Sequence, residues 1–126
     1  MIIKDLLKNI IGKRKLYFIE QEKSAYEAAK SMVRFKCGAL LVCEDERKRD
    51  LKGIVTERDL AFRIIPKNLQ PSKTKISDIM TKKVDTISDK KTTFDAINIM
   101  KKNGYRHLPV VSNKSVIGIL SMRDLY

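Results

Sequence analysis

Gly53-Ile54-Val55-Thr56-Glu57-Arg58-Asp59-Leu60 is written a second time in this chain, as Gly118-Ile119-Leu120-Ser121-Met122-Arg123-Asp124-Leu125. Each copy runs glycine, two β-forming residues, a hydroxyl residue, a variable residue, then Arg-Asp-Leu. The apolar run reads as the end of a buried strand, and the hydroxyl residue as the turn into a helix.

Outward from the first copy, Thr56 begins a helix predicted to reach about Ile65, where Pro66 ends it. Asn68 to Lys75, with Pro71 and Ser72, reads as a polar linker. Upstream, Glu44 to Lys52 is a highly charged hairpin loop, and Ala39 to Cys43 an apolar run bounded by charge, hence a buried strand. Lys23 to Phe35 is helical. Ala25, Ala28, Ala29, Met32 and Val33 recur at helical spacing, Ser24 stands where an N-cap belongs, and Gly38 is expected to close the turn. Leu16-Tyr17-Phe18-Ile19 is a short strand. Residues 2 to 11 form a short apolar helix stopped by Gly12 and Lys13-Arg14-Lys15.

The same order then restarts. Leu16 to Cys37 overlays Val84 to Tyr105 at a shift of 68, pairing Ile19 with Ile87, Tyr26 with Phe94, Ala28 with Ala96 and Met32 with Met100. The shift holds through Leu40/Leu108 and Val42/Val110, then drops to 65 at Gly53/Gly118 because the first hairpin loop is three residues longer. Ile3-Lys4-Asp5-Leu6-Leu7 matches Ile76-Ser77-Asp78-Ile79-Met80 at a shift of 73. The expectation is an α/β (α+β) fold of two repeats, each a lead-in followed by strand-helix-strand-strand-helix. The first repeat spans 1–66, a linker 67–75, and the second 76–126. One such unit is too small to bury its faces alone, so the two are expected to pack about a pseudo-two-fold.

Composition narrows the function classes. The chain has 126 residues, 43% of them apolar, and no apolar run long enough for a membrane span. Its N-terminus lacks the basic region and apolar core of a secretion signal. Cys37 and Cys43 have no metal or redox spacing and read as free thiols in a reducing cytoplasm. No Gly-x-Gly-x-x-Gly, Walker sequence, His-Glu-x-x-His or nucleophile elbow is present, so the chain reads as non-enzymatic, with no catalytic residues and no metal site. The net charge is +12, in scattered Lys/Arg clusters that attract anions of any kind. A basic nucleic-acid-binding protein is therefore the alternative, weakened by the lack of aromatic residues interleaved with the basic ones and of a helix-turn-helix signature.

The repeated motif admits two readings. Thr56 with Asp59, and Ser121 with Asp124, approach a capping box, which stabilises a helix start. The same groups suit a nucleotide: a hydroxyl donates to a phosphate oxygen, and a carboxylate accepts both hydroxyls of a ribose cis-diol. Arg58 and Arg123 oppose the helix dipole, so each asks for a compensating anion or reaches out to solvent. His107, the one histidine, starts a predicted strand beside Arg106. Alone it is a structural or surface residue, with no partner set for a metal.

The chain resembles the cystathionine-β-synthase (CBS) domain family, and as a pair its tandem arrangement, the Bateman module. The residues that carry this are Asp78-Ile79-Met80-Thr81, Tyr105-Arg106-His107-Leu108-Pro109-Val110-Val111, and both Gly-Ile-Val/Leu-Thr/Ser-x-Arg-Asp copies. The resemblance implies a regulatory module that binds an adenosine nucleotide (AMP, ADP or ATP) in the inter-repeat clefts and signals to an effector protein in trans. It implies ligand contacts from Gly38, Ala39, Ile54, Thr56, Arg58 and Asp59 in the first repeat, and from Arg106, His107, Ile119, Ser121, Arg123 and Asp124 in the second. It also implies a helix-mediated homodimer, for which Ala61, Phe62, Ile64 and Ile65 offer more apolar surface than one face needs. A CBS pair acting only as a dimerisation scaffold is the remaining alternative. The sequence ends at Tyr126, so the family's last helix is expected to be nearly absent. Because Arg106-His107 aligns with Gly38-Ala39, the second motif is expected to bind a phosphorylated ligand more tightly.

Overall fold

The structure, a computed structural model, describes residues 1–10, with the side chain of Ile10 excepted, and 16–125. The expected stop of the first helix at Gly12 and Lys13-Arg14-Lys15 lies outside the described residues, as does Tyr126. In chain order the elements are α1 (Ile3–Ile10), β1 (Phe18–Glu20), α2 (Ala25–Phe35), β2 (Ala39–Cys43), β3 (Gly53–Thr56), α3 (Glu57–Arg63), α4 (Ile76–Ile79), β4 (Ile87–Ser88), α5 (Thr93–Asn103), β5 (His107–Ser112) and β6 (Ser115–Ser121). Short 3-10 turns occupy Pro71–Lys73 and Met122–Leu125. This is the mixed α/β fold, with two three-stranded sheets, that the repeat implied. No helix among the described residues is long and apolar enough to cross a membrane.

The chain divides into two compact units. One is contiguous, Tyr17–Val84; the other joins Met1–Leu16 to Asp85–Tyr126. In the contiguous unit the sheet order is β1-β2-β3, with β1 parallel to β2 and β2 antiparallel to β3. The parallel pair needs a crossover, and α2 supplies it. Ser24 caps α2, its hydroxyl accepting the Glu27 N–H at 3.1 Å. The helix buries Ala25, Ala28 and Met32 against Ile19, Leu40, Val42 and Val55. It ends at Phe35 as expected, and the turn is closed by Lys36, in the left-handed region at φ 53°, and not by Gly38. Gly104 does the same work for α5 at φ 71° without the Cβ crowding that a lysine accepts there. Strand β1 begins two residues later than expected, because pairing Phe18 with Leu41 fixes its register.

The split unit repeats the plan as β4-β5-β6. Helix α5 carries a capping box, Thr92 accepting from the Asp95 N–H while the Asp95 carboxylate accepts from the Thr92 N–H. Those contacts hold the Asp95 carboxyl below its usual range, the backbone bond most. Its core is Ile87, Ala96, Met100, Leu108, Val110 and Leu120.

The sequence repeats and the compact units divide the chain differently. Ile3 and Leu7 of the first lead-in belong to the core of the split unit, and the Ile3 N–H donates to the Lys91 carbonyl at 2.8 Å. Ile76, Ile79 and Met80 of the second lead-in belong to the core of the contiguous unit, and the Ile76 N–H donates to the Lys23 carbonyl at 2.8 Å. The fully buried isoleucines Ile3 and Ile76 each contribute roughly 2–3 kcal/mol of apolar burial to the unit they join. The polar linker is exposed except at Thr74, which is buried, its carbonyl accepting from the Ala25 N–H at 2.8 Å.

Candidate functional site

In each unit the repeated motif ends an antiparallel strand and turns into a short helix beside the start of the neighbouring strand. Ala39 lies opposite Thr56 in the register, and His107 opposite Ser121. The Glu57 N–H donates to the Gly38 carbonyl at 3.0 Å, and the Met122 N–H to the Arg106 carbonyl at 3.0 Å. Gly38-Ala39 and Arg106-His107 therefore hold the same place relative to their hydroxyl residue. The structure brings each group of predicted residues together within its own unit.

At the first motif, Thr56 caps α3 in a complete capping box. Its hydroxyl accepts the Asp59 N–H at 3.3 Å, and Asp59 Oδ2 accepts the Thr56 N–H at 2.9 Å. Asp59 is only 7% exposed. Its Oδ1 lies 3.6 Å from Arg63 Nε and accepts the Thr81 hydroxyl at 3.4 Å. Arg63 Nη1 donates to the carbonyls of Ile79 and Met80 at 3.1 and 3.0 Å, tying α3 to the end of α4. Ile54 is buried and exchanges two backbone hydrogen bonds with Thr81, at 3.0 and 2.9 Å. Gly53 permits that approach, since a Cβ there would sit 2.6 Å from the Thr81 carbonyl oxygen.

Arg58 is exposed and lies along its own helix, its guanidinium 5.0 Å from the centre of the Phe62 ring. Phe62 and Ile65 are 61% and 74% exposed, whereas Ile64 is buried. The Glu57 carboxylate lies against Gly38, where a Cβ would collide with it. Burial pushes the neighbouring Cys37 thiol above its usual pKa; the Ala39 backbone pulls it back, and the Glu57 charge adds to the rise.

The second motif is looser. Asp124 Oδ2 accepts the Ser121 N–H at 2.8 Å, but the following turn is 3-10, and Asp124 is half-buried. Arg106 and Arg123 are exposed, and His107 and Ile119 are half-buried. Ile119 sits opposite Pro109 in the register. Among the described residues no bridge to Ile119 corresponds to that between Ile54 and Thr81. The first lead-in explains this: α1 runs eight residues, through Lys8, where α4 stops at Ile79 and lets Thr81 pair as a strand.

Three residues that matter at the first motif were missed from sequence: Glu57, Arg63 and Thr81. Arg63 follows Asp59 by one helical turn, a spacing that signals an ion pair. Thr81 belongs to the quoted Asp78-Ile79-Met80-Thr81 stretch. The aromatic residues are also closer to the basic ones than the sequence suggested, with Arg34 over Phe35, Arg49 over Phe18 and Lys30 over Tyr26. Cys37 and Cys43 are both free, and burial pushes the Cys43 thiol up to about 11. No group of metal-binding side chains occurs among the described residues.

Comparison with known proteins agrees with this geometry. The CBS domain family model matches residues 3–65 and 76–126. A mitochondrial CBS domain-containing protein of Arabidopsis thaliana is 36% identical over 106 residues, 82% of this chain; the match spans 52% of that protein, so the chain covers about half its length. The crystal structure of a CBS-domain containing protein from Agrobacterium tumefaciens superposes with a TM-score of 0.89 at 31% identity, covering 99% of this chain and 96% of that one. A CBS domain protein from Pyrobaculum aerophilum, solved in complex with AMP, shares the fold at a TM-score of 0.81 and 22% identity, covering 98% of this chain and 89% of its own. With both family matches falling on the two repeats, the chain belongs to the CBS domain family as a tandem pair.

Proposed function

We propose that this CBS pair is a non-catalytic regulatory module that binds an adenosine nucleotide (AMP, ADP or ATP) at its repeated motifs and passes the binding event to a partner by shifting a conformational or oligomeric equilibrium. One observation carries the reading. The same strand-turn-helix junction is built twice, each time with a hydroxyl residue and a carboxylate within one turn, and once with Arg106 and His107 beside it. A carboxylate suits a ribose cis-diol, and arginine suits phosphate. The AMP bound by the Pyrobaculum aerophilum relative supports the choice of ligand class. The exposed Phe62 on α3 and Ile65 in the turn after it support a homodimer as the state that binding shifts. The free thiols suit a reducing compartment, the cytoplasm in this reading.

The test is a thermal-shift and calorimetry screen of adenosine, AMP, ADP and ATP against the full chain, with sedimentation run in the presence and absence of each. Binding below millimolar supports the reading. If no adenosine ligand binds below that concentration, the reading fails. Affinity for DNA or RNA that falls steeply with salt would favour the nucleic-acid alternative instead.

A further inference from the structure

We propose that Glu57 sets the charge of the ligand at the first motif: its carboxylate turns phosphate away, so this motif takes an uncharged adenosine-type ligand while the second takes the phosphorylated one. The proposal rests on the nucleotide-binding reading above and adds to it a specificity residue. Glu57 is the variable position of the first motif and Met122 that of the second. Their backbone N–H groups make the same bond, to the carbonyls of Gly38 and Arg106. The strand register sets Ala39 opposite Thr56 and His107 opposite Ser121. The two places are thus structurally equivalent, and their charges are reversed.

A Cβ on Gly38 would meet the Glu57 carboxylate, with Glu57 Cδ at 3.1 Å and Cγ at 3.3 Å. The carboxylate therefore fills the space where the Arg106 side chain leaves its own backbone. An arginine there offers phosphate a charge-assisted fork of donors. A carboxylate there repels phosphate and offers only acceptors, which fit the hydroxyls of a ribose or the amine of an adenine. The effect of the carboxylate reaches its neighbours, since Glu57 is among the charges that raise the Cys37 thiol.

The experiment is a calorimetric titration of the full chain with adenosine and with AMP, for wild type, Glu57→Gln and Arg106→Gln. Glu57 is exposed, and glutamine keeps its shape, so the fold is retained. In Glu57→Gln, AMP should bind the weaker site about ten-fold tighter while adenosine stays within about two-fold, because only a charged ligand feels the lost charge. In Arg106→Gln, the tighter AMP site should weaken and adenosine should not. The proposal is overturned if Glu57→Gln leaves AMP unchanged at the weaker site, or if it strengthens adenosine as much as AMP. In either case, wild-type binding of adenosine or AMP leaves the nucleotide reading standing. If wild type binds neither ligand, this proposal falls, and the nucleotide reading falls with it when ADP and ATP fail to bind as well.

Discussion

The two motifs share their sequence pattern and differ in what surrounds the carboxylate. Asp59 is closed in: it completes the capping box of α3, accepts from Thr81 and pairs with Arg63, which in turn holds the carbonyls at the end of α4. Asp124, on a 3-10 turn, accepts from the Ser121 N–H and is half-buried, with Arg106 immediately before the neighbouring strand. The first carboxylate is bonded on both oxygens within its unit, and the second is the more exposed of the two. The same motif is thus tied into its unit in different ways, and the residues around it decide how.

The sharpest way to break this comparison is to remove each carboxylate. Asp59→Ala loses half of a capping box and leaves the half-exposed Arg63 without its partner, so it should cost about 2 kcal/mol of stability; Asp124→Ala loses its bond to the Ser121 N–H and should cost about 1 kcal/mol. Urea unfolding midpoints measure both, and equal losses would erase the distinction. Gly53→Ala acts on the same joint through the backbone. Its Cβ would press on the Thr81 carbonyl and on Met80 Sδ at 2.8 Å, an overpacking worth about 2 kcal/mol. Hydrogen exchange at the Ile54 and Thr81 amides should quicken in that variant.

On the ligand side, Arg106→Ala should weaken AMP at the second motif by about ten-fold or more, the worth of a charge-assisted bond, as read by calorimetry. The smallest effect concerns Cys37. Because the Glu57 charge raises that thiol, Glu57→Gln should lower its pKa and speed its alkylation at a given pH by about two-fold. Cys43, buried and at about 11, stays unreactive and serves as the internal control.

Much of this arrangement could be read from the sequence, for identifiable reasons. Periodicity located α2 and its Ser24 cap because both signals are local. The buried strands β2 and β3 and the hairpin between them followed from apolar runs bounded by charge. The motif residues came together as expected because register carries position 39 to position 56, and 107 to 121. What escaped was non-local or side-chain specific. Nothing in Ile3-Lys4-Asp5 or Ile76-Ser77-Asp78 says which sheet each lead-in joins, since their apolar faces are alike. Periodicity ends α2 at Phe35, as observed, but the turn that follows closes on Lys36 in the left-handed region, two residues before the expected Gly38. Glu57 looked like a spacer because only the folded turn lays its carboxylate across Gly38.

The division of the chain has a consequence for how the protein is made. All of Tyr17–Val84 is synthesised before residue 85 is added, so the contiguous unit has its full sequence before the split one, as synthesis proceeds at roughly 5–20 residues per second. Helix α1 is synthesised before that unit. Its partners Asp89 and Lys91 come only after that unit, and its core neighbour Leu120 later still. Ile3 and Leu7 therefore remain uncovered while most of the chain is translated. Closing the second unit means joining ends separated by an already folded insert, a shorter and less entropically costly loop than 68 flexible residues would be.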